Sequence, residues 1–197
     1  MNLKRLVPVA VLIGILLTAQ SARAENKYPN YEPKPETLQS LERLGLPRYL
    51  PVVSPEEAFR PAVLRLSQYL DARIQADNAD LFSYSDAVDT EHAAKRVDLA
   101  FVIEGYMLIV RDGLTRAKQY GFSPLTMGQC AQLLISNKKL VSAIESGVIP
   151  QVQCPGTRGT TGIAQVYMTK DKQWVVGTLH QIDSPWHMAV FAGPTTD

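Results

Sequence analysis

The hydrophobic period of this chain changes once, and the change falls near Cys154. Upstream, apolar residues recur every three or four positions; downstream they form short β-type runs, Ile163–Met168, Trp174–Leu179 and Met188–Phe191. Helical segments first and strand segments last exclude an alternating strand-helix architecture. The order predicts an α+β domain of about three helices followed by a small antiparallel β-meander packed on the central helix.

The helical half divides at its own punctuation. Ser54-Pro55-Glu56-Glu57 has serine to cap, proline for the first helical position and a glutamate to complete a capping box. The stripe Phe59, Ala62, Val63, Leu66, Tyr69, Leu70 and Ile74 follows, with Pro61 as a kink or restart. From about 90 to 120 the pattern is again helical, and Leu99 to Val110 is apolar nearly all round, which places that helix at the centre. Ser123-Pro124 opens a third helix that ends at Gly147 and Pro150. Pro155 to Gly162 reads as a loop, and Thr169 to Lys172 as a hairpin turn.

The N-terminus decides the compartment. Lys4 and Arg5 precede an apolar stretch from Leu6 to Ala19, followed by Ala22-Arg23-Ala24, the three parts of a secretory signal peptide; the apolar stretch is short for a membrane span. Cleavage after Ala24 leaves 173 of the 197 residues and a mature N-terminus at Glu25. Residues 25–53, rich in Pro and Tyr, predict an extended arm with one short helix around Glu36–Leu44, and 54–197 a single globular domain. Losing Lys4, Arg5 and Arg23 leaves 17 basic against 19 acidic residues, a balance that argues against nucleic acid or an anionic membrane surface as partner. The expected location is the periplasm or the exterior.

Cys130 and Cys154, the two cysteines, both fall in the exported part, so an oxidising compartment predicts one disulfide tying the third helix to the loop entering the meander. In the chain-entropy model that closure stabilises the fold by roughly 3 kcal/mol.

Candidate chemistry is sparse. The segment Leu140-Val141-Ser142-Ala143-Ile144-Glu145-Ser146-Gly147, a loop, and then Gly159-Thr160-Thr161-Gly162-Ile163-Ala164-Gln165-Val166 resembles the signature of lysozyme-like lytic transglycosylases and goose-type lysozymes. The resemblance covers fewer than 30 residues. It implies that Glu145 is a catalytic acid and that the strand carrying Gln165 and Tyr167 lines a sugar cleft. Independently, a glutamate in the last turn of a helix faces the negative end of the macrodipole, which favours the protonated form such catalysis needs. Glu104, inside an apolar helix, requires a partner such as Arg96 or Arg111 or else has a functional role. His180, Asp183 and His187 are close in sequence but lack the spacing of a metal motif, and no cofactor motif is present.

Two functions follow from these residues. One is a non-enzymatic envelope protein, an interaction or inhibitor-like binding module with a protein partner. The other is a peptidoglycan-cleaving enzyme with Glu145 as general acid and Gln165 and Tyr167 in its cleft.

Overall fold

A computed structural model of the chain describes residues 30–51, 59–75, 85–86, 96–105, 110–149, 151–158, 162–179 and 192–194. The signal segment, the capping sequence at 54–57, the strand expected at 188–191 and the group His180, Asp183 and His187 lie outside the described residues.

The described chain is α+β, with six helices where about three were expected. Helix α1 (Pro35–Arg43) begins on a proline and ends with Arg43 in its last turn, followed by Gly45 at φ 63°. Strand β1 is Tyr49–Pro51. Helix α2 (Phe59–Leu70) buries Phe59, Ala62, Val63 and Leu66 along the expected stripe. Pro61 is the third described residue of α2. Strands β2 (Arg73–Ile74), β3 (Ser85–Asp86) and β4 (Arg96–Asp98) follow.

The long central helix is replaced by shorter elements. Asp98 ends β4 and caps helix α3 (Leu99–Glu104), its carboxylate accepting from the amides of Ala100 and Phe101. Helix α4 spans Val110–Gln119. Ser123-Pro124, read as a helix start, belongs to strand β5 (Phe122–Pro124) instead. The start lies at Thr126, which shares a capping box with Gln129 at the head of helix α5 (Met127–Ser136). Asn137, at φ −131° and ψ 81°, separates α5 from helix α6 (Lys138–Glu145). One continuous apolar pattern therefore yields two helices.

Strand β6 (Gln151–Arg158) runs through the Pro155–Thr157 stretch that composition marks as loop. Its register on the next strand is irregular between Cys154 and Arg158, which accommodates Pro155 and Gly156. Strands β7 (Ile163–Met168) and β8 (Trp174–Leu179) have the ranges read from sequence, and β9 is Ala192–Pro194. Strands β6, β7 and β8 form an antiparallel meander within a five-stranded sheet of order β2-β8-β7-β6-β3, with β2 parallel to β8. Two small antiparallel pairs, β1-β4 and β5-β9, stand beside it.

Helices α2, α5 and α6 cover one face of the large sheet, while α3 packs on α1. Between helices and sheet lie Leu66, Met127, Leu134, Leu140, Val152, Val166 and Val176, each 0 % exposed. This layer also joins α5 to β6. The Met127 amide donates to Thr157 Oγ1 at 2.7 Å, and the Gly156 amide to the Leu125 carbonyl at 2.9 Å.

Gly156 is where this approach is closest, because a Cβ there would stand 2.7 Å from the Leu125 oxygen. The atoms it would meet, of Pro124 and Leu125, are all backbone and cannot swing aside. Gly156→Ala is expected to lower unfolding stability by about 1–3 kcal/mol in urea denaturation, the usual cost of forcing an atom into a packed interior.

Candidate functional site

A β-strand sends alternate side chains to opposite faces, and registered neighbours share a face. On one face of the large sheet, Ile74, Val152, Ala164, Val166 and Val176 join the core beneath the helices. The other face carries the positions between them. Register places Gln153 opposite Gln165, and Gln165 opposite Gly177. Gln75, which follows β2 and donates its amide to the Val176 carbonyl, extends the line, and its side chain lies across Gly177. The result is a row of glutamines, Gln75, Gln165 and Gln153, crossing four strands with a glycine in the gap. The adjacent row holds Arg73, Val175, Tyr167 and Gln151.

The centre of this face is closed and polar. Gln153 is 0 % and Gln165 9 % exposed, whereas Gln75, Gln151 and Tyr167 are half-buried. Among the described residues, both Oε1 and Nε2 of Gln153, and Oε1 of Gln75, have no hydrogen-bond partner. Gln165 is bonded. An enclosed amide without partners opposes folding, so Gln153 is not explained by stability.

Glu145 stands elsewhere. It ends α6, on the helix side of the sheet, and is exposed, its backbone carbonyl accepting from Lys172 Nζ at 2.8 Å. Gln165 and Tyr167 occupy the opposite face of β7, so the structure brings those two to one face and leaves Glu145 apart from them. Glu145→Gln is therefore expected to change unfolding stability by no more than about 0.5 kcal/mol, as for an ordinary surface site, when measured by chemical denaturation.

The buried carboxylate, Glu104, is satisfied by the segment before α1. The Tyr31 hydroxyl donates to Oε2 at 2.5 Å, the Lys34 amide donates to Oε1 at 2.7 Å, and Arg116 approaches to 3.7 Å. Of the two residues proposed from sequence, Arg96 stacks 4.1 Å from the Tyr49 ring centre, and the side chain of Arg111 lies outside the described residues. Burial pushes the Glu104 carboxyl up, but hydrogen bonds from Tyr31, Lys34 and Thr37 and the Arg116 charge outweigh it and hold the group below its usual range. Burial, then the Glu104 contact, raises the Tyr31 phenol far above its ordinary value. Tyr31 also packs edge-on against Phe101, Tyr120 and Phe122, and its carbonyl accepts from Arg48, which pairs with Asp98 at 2.9 Å.

Cys130 in the first turn of α5 and Cys154 in β6 are both fully buried and face each other at a separation longer than the expected disulfide bond. Their sulfurs are 2.7 Å apart, and Cys154 Sγ lies 3.6 Å from Met127 Sδ. The pairing of α5 with β6 brings them face to face. Among the described residues, no three or more His, Cys, Asp or Glu side chains are grouped to hold a metal ion.

No protein-family model, curated protein or solved structure matches this chain.

Proposed function

We propose that this protein is an exported, non-enzymatic binding module of the cell envelope, and that in its mature form Cys130 and Cys154 are joined. The observation that carries the reading is the polar sheet face around Gln153 and Gln165. Carboxamides neither give nor take a proton near neutral pH, so what such a face offers a partner is hydrogen bonding rather than acid-base chemistry. The signal sequence supports an envelope location, where facing thiols meet an oxidant.

Protein recovered from the periplasm tests this reading. Intact mass should correspond to a chain starting at Glu25, and mapping without reductant should find the Cys130 and Cys154 peptides linked. Chemical crosslinking in intact cells should give a discrete adduct above the monomer mass, and purified sacculi should release no soluble fragments. Fragment release that Glu145→Gln abolishes would overturn the proposal in favour of catalysis.

A further inference from the structure

We infer that the glutamine row is a binding site for a neutral, amide-bearing ligand, in which Gln153 supplies one donor and one acceptor to the same ligand group. This deepens the binding-module reading and rests on it.

Three positions argue for a built site. Gln153 is fully enclosed and, among the described residues, both ends of its carboxamide are unpartnered, although Val175 on the same face of the sheet is an equally enclosed aliphatic residue. Gln75 carries a second unpartnered buried oxygen in the same row. Gly177 permits that arrangement, because a Cβ there would collide with Gln75 Oε1 and stand 3.3 Å from its Cβ and Cδ. A polar atom that lowers stability at one position is an exception; two such residues in one registered row, with a glycine making room, form a pattern.

The chemistry of the row selects the ligand. Its members are uncharged, and a charged group would lose hydration on entering the closed centre, which favours a neutral one. Nε2 of Gln153 needs an acceptor and Oε1 needs a donor. An amide offers both at adjacent atoms. Tyr167 and Gln151, in register with each other and half-buried, occupy the next row on the same face. Peptide amides and acetamido sugars share this chemistry.

Side-chain amide signals in a ¹⁵N-labelled mature protein report the contact directly. Titration with acetamide, N-acetylglycinamide and N-acetylglucosamine should move the Gln153 side-chain resonances saturably with at least one probe. The last two arms distinguish a peptide from a sugar source. Acetate and glucosamine, the charged counterparts, should be without effect, and Gln153→Met should remain folded and lose the ligand-induced shift of the Gln165 side-chain amide. Saturable binding unchanged in Gln153→Met would overturn the assignment, as would the absence of any response, which would leave bound water as the amide's partner. If these probes fail while the cellular crosslink persists, the site is wrong and the binding-module reading stands.

Discussion

Glu104→Ala should destabilise the protein by about 3 kcal/mol, because a buried carboxylate that accepts several charged hydrogen bonds leaves its donors stranded when removed. The donors are the Tyr31 hydroxyl, the Lys34 amide and the Arg116 guanidinium, so the loss falls on the docking of residues 31–34 against α3 and α4. Chymotrypsin should then cleave after Tyr31 much faster than in the wild type, where the residue is 8 % exposed. Tyr31→Phe removes one of these bonds and should cost about half as much. The pH dependence has a defined sign. A carboxyl held below its unfolded value of about 4.3 contributes fully above that pH and loses its contribution as pH falls through the lower folded value. Tyr31, raised above its ordinary value of about 10, contributes below that pH and loses its contribution above it. Stability from this cluster should therefore be flat between about pH 5 and pH 9 and fall on both sides, and Glu104→Ala should remove the acid limb that the cluster supplies. An unchanged acid limb in urea titrations at several pH values would show that the cluster does not anchor the segment.

Cys130→Ala should lower the stability of periplasm-derived protein by about 2–5 kcal/mol, the range for losing a native disulfide in a small exported domain. Reductant should lower wild-type stability by a similar amount and leave the variant unaffected. The size of the effect separates bonded from free sulfurs, since a small buried thiol replaced by Ala loses only modest packing. Two alkylatable thiols in the unreduced native protein, together with indifference to reductant, would contradict the proposed bond.

Where sequence and structure agree, the signal is local. Ile163–Met168 and Trp174–Leu179 were legible because β-branched and aromatic residues are bounded by turn residues, and Phe59 to Leu70 because its stripe has helical spacing. Where they part, long-range contacts override composition. Pro155, Gly156 and Thr157 read as loop, yet the Leu125 carbonyl bonds Gly156 and β3 pairs with Thr157, which keeps them in a strand. The apolar run from Leu99 gave no sign that Asp98 would leave β4 and cap a six-residue helix. Asn137 was the visible hint of the break between α5 and α6, since its side chain bonds the Leu133 carbonyl at 2.7 Å in competition with the backbone.

The polar face was half legible. Gln151 and Gln153 are two apart and must share a face of any strand, and Gln165 and Tyr167 likewise, but β6 was not expected to be a strand. Gln75 joins them through a parallel pairing with β8, far along the chain, which no local pattern encodes. Glu145 was conspicuous for the opposite reason. Its helix-end position is readable from sequence, whereas the face of β7 that lies beside it depends on how α6 packs.

The central claim is that the glutamine row exists for binding and not for the fold, and the unfolding free energy of Gln153→Met tests it most directly. Methionine fills a similar volume without an amide to desolvate, so the account predicts a protein more stable than wild type by about 1 kcal/mol, with the meander intact. A variant less stable by that amount or more would show that the Gln153 carboxamide is bonded in the folded protein and holds the sheet together, contradicting the account.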